Sequence, residues 1–296
     1  MENLKLMPGI SVVIITYNEE KNIIRCINSV KGLADEIIVV DSFSEDMTPT
    51  ICRELGVRFY SHEFEGYREQ KNFATSLALN DYVLSLDADE ALSDELYNNI
   101  LKIKNNLIYD GYFFNRRNKY CGQWIKHSNW YPDRKLRLFR KNRGKWGGIN
   151  PHDRYIVDPD CKTTRLKGDI LHWALNSYED HIEKVNKFTS IAAMEYFRMG
   201  RKTSVMSMML HGIWRFFKTY FMRRGFLDGY NGFVISSLSA YTSFLKYLKL
   251  RQLYIEYQRN KNETVKEPDM LVLENRMNDT EKVGLAVNKL SNKRIS

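Results

Sequence analysis

The chain has 296 residues, and 43% of them are hydrophobic, which is enough to bury a core and excludes a wholly disordered protein. Lysine and arginine number 45 against 36 acidic residues. The resulting net charge of +9 favours anionic partners such as phosphate-bearing ligands, an acidic membrane surface or nucleic acid. The four cysteines are scattered and form no CxxC pair, which argues against a zinc ribbon or a disulfide framework and favours a reducing compartment.

Strands and helices are predicted to alternate over the first hundred residues. Short apolar runs rich in β-branched residues predict buried strands at residues 10–15, 36–40, 57–60, 82–86 and 112–114. Between them lie helical signals: Thr48 as N-cap with Pro49 at the first position and Gly56 as the stop, and Ser93 as the cap of a later helix. This alternation predicts an α/β fold with a doubly wound, mostly parallel sheet that binds ligands at the carboxyl ends of its strands.

The composition changes after residue 112. Residues 112–146 carry eleven Lys/Arg and nine aromatic residues, and they predict irregular loops with a short strand around residues 135–139. Residues 178–250 are predicted to be helical. Within them, residues 197–227 hold seven Lys/Arg and no acid, interleaved with Trp and Phe, which fits an anionic membrane surface, a nucleic-acid groove or a packed helix pair with a solvated basic face. After residue 257 a polar, mobile tail is expected.

Membrane-spanning and export signals are not expected. The first nine residues lack the apolar core of a signal peptide. The longest uncharged stretch, residues 229–245, holds too many serine, threonine, asparagine and glycine residues for a spanning helix.

Polar side chains follow three of the predicted strands where each strand ends. They are Thr16, Tyr17, Asn18 and Glu20 after the first strand, Asp41 after the second, and Asp87 and Asp89 after the fourth. An Asp-x-Asp pair in this position suits Mg²⁺ or Mn²⁺ held with a substrate diphosphate; the alternative is an acidic turn that caps the next helix. Asp41 suits a contact to a ribose or base; the alternative is a turn aspartate that binds its own backbone. Neither a G-x-G-x-x-G motif nor a P-loop is present, so a nicotinamide-dinucleotide site is not supported.

Three segments, ISVVIITYNEEKNI, EIIVVDSFSEDMT and DYVLSLDADE, resemble in order and spacing the signature segments of the family 2 glycosyltransferases, which have the GT-A nucleotide-sugar-binding fold. EGYREQKNFA resembles the subgroup that includes the lipopolysaccharide core β-glucosyltransferases, with further matches at RKLRLFR, GGINPHD, LHW and RGFLDGYNGF. The resemblance implies an enzyme that uses Mg²⁺ or Mn²⁺ to transfer a sugar from a nucleotide-sugar donor to a lipid-linked glycan acceptor. It implies action at the inner face of the cell membrane, in cell-surface polysaccharide or lipopolysaccharide core synthesis, without a nucleic-acid partner.

The composition and the resemblance together predict the domain limits. Residues 8–175 form the catalytic domain, with a nucleotide-binding part at 8–118 and an acceptor part at 119–175. A helical, membrane-associated region at 176–257 and the polar tail at 258–296 follow it.

Roles for individual residues follow from the same resemblance. The nucleotide is assigned to Thr16, Tyr17, Asn18, Glu20, Asp41, Gln70, Lys71 and Asp87, with Asn72 beside them, and the metal is assigned to Asp89. Asp153 takes the place of the catalytic base, which is usually Glu in relatives, and Phe43 stands where relatives often have glycine.

Three further positions are candidates with open alternatives. His172 is a third metal ligand, a diphosphate contact or a structural histidine; His152 orients the Asp153 loop or is a surface loop residue. Arg137 and Arg140 are expected to point the same way from one strand toward phosphates of donor or acceptor, or to form a solvated basic edge.

One base opposite the leaving group predicts direct displacement with inversion at the anomeric carbon. A double displacement needs a second carboxylate, for which Asp133 and Asp169 remain candidates. Two other functions stay open: a nucleotidylyltransferase, which would need a glycine-rich basic loop after the first strand, and a non-enzymatic nucleic-acid-binding protein.

Overall fold

The computed structural model describes residues 9–148 and 153–263, with side chains described as far as residue 259. The chain divides into two compact units, Met1–Asn176 and Ser177–Ser296. His152 lies outside the described residues, as do the predicted tail residues from 264 onward.

The first unit contains four helices and a sheet-rich core. Its helices are α1 (Ile23–Asn28), α2 (Thr48–Glu54), α3 (Tyr67–Ser76) and α4 (Asp94–Lys104). Its strands are β1 (Ile10–Thr16), β2 (Glu36–Asp41), β3 (Arg58–Ser61), β4 (Tyr82–Asp87), β5 (Glu90–Leu92), β6 (Gly111–Tyr120), β7 (Gln123–Trp124), β8 (Asp133–Arg140), β9 (Gly144–Gly147), β10 (Arg154–Val157) and β11 (Thr163–Leu175).

The main sheet has the order β3-β2-β1-β4-β8-β6-β11-β5, with β7 paired to β6. β3, β2, β1 and β4 are parallel; β8 then runs antiparallel to both β4 and β6. Alternate residues of β1 point to opposite faces of the sheet and pack in two hydrophobic cores. Val12 and Ile14 pack in the core that includes α1, and Val13 and Ile15 pack in the core that includes Ala74 of α3. This sheet with helices on both faces confirms the α/β prediction, and the antiparallel return makes the half of the sheet beyond β4 mixed.

The strands predicted at residues 112–114 and 135–139 lie within two longer strands, β6 and β8, which replace most of the irregular loops predicted around them. The loops were predicted because charged residues were taken to face solvent. In these strands several arginines instead pair with buried or half-buried carboxylates, so a charged residue does not indicate an exposed position. Arg116, for example, contacts Asp133 and Glu90 from the middle of β6. Periodicity of apolar residues therefore fails to indicate strands whose inward positions carry paired charges.

Two helix starts test the capping signals. Ser93 caps α4 as predicted, accepting a hydrogen bond from the Leu96 backbone N–H. Thr48 was wrongly predicted as an N-cap: it is the first helical residue of α2, and Met47 precedes it. Its hydroxyl accepts instead from the Glu19 backbone N–H of the loop after β1, so the threonine links two loops rather than capping its own helix.

The second unit contains α5 (Tyr178–Arg198), α6 (Val205–Phe217) and α7 (Gly229–Glu263), with a π-helical turn at Lys218–Met222 and a 3₁₀ turn at Gly225–Asp228. A capping box formed by Ser177 and Asp180 starts α5. The tail was predicted from residue 258, but α7 continues to Glu263. Among the described residues, no helix combines the length and the apolar character needed to cross a bilayer.

Candidate active site

The carboxyl ends of β1, β2 and β4 meet at one edge of the sheet. In the strand register Thr16 pairs with Asp41, and Ile15 pairs with both Val40 and Asp87. Parallel neighbours bring residues at equal register side by side, so the three polar strand ends predicted from the sequence lie together. The Thr16 hydroxyl is buried and has no hydrogen-bond partner among the described residues, which leaves it available to a ligand.

The loops after β1 and β2 are bonded to each other through residues predicted to hold the nucleotide. The Asn18 backbone N–H donates to Ser44 Oγ at 2.8 Å, and Asn18 Oδ1 accepts from the Glu45 N–H at 2.8 Å. Glu20 Oε2 accepts from the Met47 N–H at 3.0 Å. Tyr17 is half-buried at the start of the same loop. These contacts fix the loops without a ligand, so the polar groups at the sheet edge are positioned in advance.

Asp41 acts as a turn aspartate in the structure. Its side chain is 1% exposed, its Oδ2 accepts from the Ser44 N–H at 2.8 Å, and its Oδ1 accepts from the Ser44 hydroxyl. Burial raises the pKa of the Asp41 carboxyl, and the hydrogen bonds from Ser44 oppose that rise. The alternative that the sequence left open is therefore realised, and a role toward the nucleotide stays a prediction.

Phe43 adopts a left-handed backbone conformation with φ of 61° inside this turn, and its side chain is 60% exposed. This conformation is favourable for glycine and costs a side chain such as Phe roughly 1 kcal/mol.

We expect Phe43→Gly to raise the free energy of unfolding by about 0.5–1 kcal/mol, because the left-handed strain disappears and little buried surface is lost. Urea denaturation of the two proteins measures the change. Phe43→Val is the matched control, since a β-branched residue tolerates this conformation least and should destabilise the turn. A lower stability for Phe43→Gly than for Phe43→Val would contradict this account of the loop.

Behind the strand ends, Lys71 joins two acids. Its Nζ lies 3.1 Å from Asp87 Oδ1 and 2.9 Å from Asp153 Oδ2, and all but 4% of its side chain is buried. The ammonium also lies 4.8 Å from the centroid of the Trp146 ring, a cation–π distance. Asp153, assigned as base region from the resemblance, is thus brought next to Asp87 by Lys71.

The other predicted residues of α3 are also engaged. Gln70 is buried, donates to Ser42 Oγ at 3.0 Å and contacts His62 Nδ1 at 2.8 Å. The Asn72 amide exchanges two hydrogen bonds with the Trp146 backbone and so ties α3 to β9.

Asp87 is ionised by its surroundings. Burial alone would raise the pKa of its carboxyl, but Lys71 and Arg137 outweigh burial and hold that pKa well below its usual range. Arg137 Nη2 lies 3.1 Å from Asp87 Oδ2 and 3.0 Å from Glu90 Oε1. Burial alone would lower the pKa of Arg137, but the carboxylates of Glu90 and Asp87 outweigh burial and raise that pKa above its usual value. Opposite charges here stabilise each other across β4, β5 and β8.

Glu90 is the residue on which this cluster is centred, and the sequence analysis assigned it no role. It is fully buried, its Oε2 accepts from the Asp87 backbone N–H at 3.1 Å, and Arg116 Nη1 lies 3.4 Å from its Oε1. A buried carboxylate with two guanidinium partners and a backbone donor is fully paired. Glu90 therefore fixes the backbone on which the Asp-x-Asp pair is carried.

Asp89 meets His172 of β11, with Asp89 Oδ2 3.1 Å from His172 Nε2. His172 Nδ1 lies 2.6 Å from Asn118 Oδ1, and the Asn118 amide nitrogen donates to the Trp130 carbonyl, which assigns the amide orientation. With the proton on Nδ1, Nε2 presents a lone pair toward the carboxylate. Two such groups attract one another only through a proton or a cation between them.

These donors fit a divalent cation. Among residues 9–148 and 153–259, no three His, Cys, Asp or Glu side chains converge as a metal site. A carboxylate with one imidazole leaves most coordination positions open, which suits Mg²⁺ or Mn²⁺ shared with a diphosphate.

The prediction that Arg137 and Arg140 point the same way was wrong. They are three positions apart on β8, so they lie on opposite faces of the sheet. Arg140 pairs in register with Tyr82, and its Nε donates to the Tyr82 hydroxyl at 2.9 Å. Tyr82 is five residues before Asp87 on β4, about 16 Å along the strand. Arg140 thus belongs to the far end of the sheet and Arg137 to the acidic cluster.

Tyr67 is a further residue that the sequence did not single out. Burial of its hydroxyl raises the pKa of Tyr67, and the carboxylates of Asp87, Asp89 and Asp153 raise it further. The residue as a whole is nonetheless 45% exposed, so the phenol is not closed off from solvent. Its place at the first position of α3, just before the REQKN run, is the one signal the sequence offers.

The chain is similar to several known proteins. The family model described as Glycosyl transferase family 2 matches residues 11–157. An uncharacterized glycosyltransferase of Rickettsia typhi is 38% identical over 260 residues, covering 84% of this chain and 89% of that protein. The lipopolysaccharide core biosynthesis glycosyltransferase LpsC of Rhizobium meliloti is 27% identical over 252 residues, covering 82% and 92%. Among solved structures, S. aureus TarS 1-349 in complex with UDP-GlcNAc matches with a TM-score of 0.43 and 14% identity, covering 85% of this chain and 92% of that one.

Proposed function

Because the chain belongs to glycosyltransferase family 2, and is therefore a glycosyltransferase, we propose that it transfers a sugar from a nucleotide-sugar donor to a lipid-linked glycan acceptor. The proposed reaction is a metal-assisted displacement with inversion, at the inner face of the cell membrane, in cell-surface polysaccharide or lipopolysaccharide core synthesis. The likeness to LpsC supports the biosynthetic setting. The observation that carries the proposal is the 3.1 Å approach of Asp89 to His172 beside the Asp87 cluster.

Asp89 and His172 would hold Mg²⁺ or Mn²⁺. When bound, the cation acts as a Lewis acid that neutralises charge on the departing diphosphate. Asn118 fixes the His172 ring through Nδ1, so Nε2 keeps its direction toward the cation position. Arg137 and Trp146 each have a buried N–H without a hydrogen-bond partner among the described residues, and these donors suit oxygen atoms of a bound donor substrate.

Asp153 would accept the proton of the acceptor hydroxyl as that hydroxyl attacks the anomeric carbon. General base catalysis of this kind contributes typically about 10²–10⁴-fold. Lys71 Nζ lies 2.9 Å from Asp153 Oδ2 and 3.1 Å from Asp87 Oδ1, and it therefore holds Asp153 beside the Asp-x-Asp pair. The charge of Lys71 also opposes the loss of negative charge from the base, so proton transfer requires that acceptor binding loosens this ion pair.

The proposal is tested by a donor screen. Purified protein is incubated with a panel of nucleotide sugars and Mn²⁺ or Mg²⁺, and release of nucleoside diphosphate is measured with and without a membrane lipid extract. We expect slow release from one donor without acceptor, acceleration by the extract, and loss of release on chelation of the metal. Release of pyrophosphate instead would indicate a nucleotidylyltransferase. An absence of release from every donor under both conditions would contradict the proposal.

A further inference from the structure

One side of α6 presents an apolar surface to solvent. Met206 is 68% exposed and Ile213 is 62% exposed, and Leu210 and Phe217 are exposed with them. Their spacing of four, three and four residues places all four on one side of the helix. Beside this row, Val205, Met209 and Trp214 are also exposed. We call these seven residues together the α6 apolar face.

The opposite side of α6 is used for packing within the unit. Met208 and Gly212 are buried four residues apart. A Cβ atom at Gly212 would lie 3.5 Å from the Ala240 carbonyl oxygen and from Phe244 Cβ, so the glycine lets α6 approach α7 closely. Because α7 covers only this side of α6, the α6 apolar face remains exposed to solvent.

The apolar surface continues past the helix. Phe221 and Met222 are exposed in the π-helical turn, and Phe226, Leu227 and Tyr230 are exposed after it. Contiguous apolar exposure of this extent is unusual for a surface that faces only water.

The charges around the face have one sign. Residues 197–227 contain seven Lys/Arg and no acid. Arg201 and Lys202 precede α6, and Arg223 and Arg224 follow it; all four are exposed. The helix is thus apolar along one side and basic at both ends, and this arrangement complements a surface with apolar depth and anionic headgroups.

We infer that the α6 apolar face lies in the interface of an anionic lipid bilayer, with Ile213, Trp214 and Phe217 at the acyl boundary and the basic residues at the headgroups. The inference rests on the proposed function for the lipid-linked acceptor that would be met there. At 13 residues and about 1.5 Å per residue, the helix spans about 20 Å, short of the ~30 Å hydrocarbon core, so it lies along the bilayer rather than across it. A second copy of this chain would bring two basic ends together. Of the face, only Trp214 and Phe217 can stack on nucleic-acid bases, whereas the Met, Leu and Ile side chains suit an apolar environment.

The test is vesicle cosedimentation of the full chain, without donor. We expect binding to vesicles containing phosphatidylglycerol, weak binding to phosphatidylcholine alone, and a decrease as salt is added. Ile213→Glu should weaken binding by about tenfold or more, because it removes apolar burial and adds a charge of the repelled sign. The matched control is Ile108→Glu in the other unit, where an isoleucine is 64% exposed and the change should leave binding unaltered.

A second measurement keeps the test independent of folding and catalysis. The emission of Trp214, taken as the difference between the wild type and Trp214→Phe, should shift to the blue on vesicle binding. Donor hydrolysis without acceptor should be equal in Ile213→Glu and wild type. Weaker vesicle binding at an unchanged hydrolysis rate therefore indicates a loss of membrane contact and not a loss of catalysis. Equal loss in both isoleucine variants, or an unshifted Trp214, overturns the inference. A dimer in solution that becomes a monomer in Ile213→Glu would assign the face to a second copy instead.

Discussion

Asp89→Asn is expected to lower kcat/KM for sugar transfer by about 10³-fold or more while the protein remains folded, since preorganised charge stabilisation of this kind is among the largest catalytic contributions. Asparagine keeps the shape of the side chain but removes the negative charge that would hold the cation against His172 Nε2. Steady-state rates at a range of Mn²⁺ or Mg²⁺ concentrations measure the effect. The variant should also require a higher metal concentration for half-maximal rate.

The matched control is Asp94→Asn, at the exposed first turn of α4 seven residues after Asp87. That change should cost no more than a few tenths of a kcal/mol of stability and leave the rate unaltered. His172→Ala supplies the second arm of a cycle. If both residues hold one cation, the double variant should lose little more than Asp89→Asn alone. Full additivity of the two losses, or normal activity in Asp89→Asn, would contradict a shared metal site.

The part of the site that the sequence predicts is the part that strand geometry determines. A β-branched run followed by a polar residue indicates a buried strand and its end, and parallel neighbours then bring Thr16, Asp41 and Asp87 together. The same reasoning indicates a helix cap at Ser93, where one side chain and one backbone N–H decide the outcome. Local signals of this kind depend on few residues, so they survive without knowledge of the rest of the fold.

The part that the sequence leaves hidden depends on how the chain returns. Glu90 meets Arg137 because β8 runs back antiparallel beside β4, and no pattern in the sequence fixes that register. The same register separates Arg137 from Arg140, whose side chains were expected to face one way. Phe43 illustrates another limit, because a left-handed residue in a turn is visible only in the backbone, and the Phe side chain gives no indication of it.

Asp153→Asn is the second large effect expected, a fall in kcat of about 10²–10⁴-fold with little change in KM for the donor. The carboxylate is replaced by an amide that cannot take a proton, while Asn retains an oxygen that can accept from Lys71 Nζ in place of Asp153 Oδ2. Steady-state kinetics with varied donor measure kcat and KM separately. An unchanged kcat in the variant would contradict the role of Asp153 as the base.

Asp153→Glu is the informative companion, because the longer acid still offers a base. It should recover a large part of the activity, whereas a residue needed only to pair with Lys71 would be served nearly as well by Asn as by Glu.

The anomeric configuration of the product, read by NMR, then tests the mechanism itself. Inversion is expected, since a single base and direct attack leave no covalent intermediate. Retention would require a second carboxylate, and it would direct attention to Asp133 and Asp169. In the structure Arg116 Nη2 lies 2.9 Å from Asp133 Oδ2, and Arg117 Nη2 lies 2.5 Å from Asp169 Oδ2. A nucleophile so paired must first be released from its guanidinium, just as Asp153 must be released from Lys71 at 2.9 Å, so the product configuration and not the ion pairing decides between the two mechanisms.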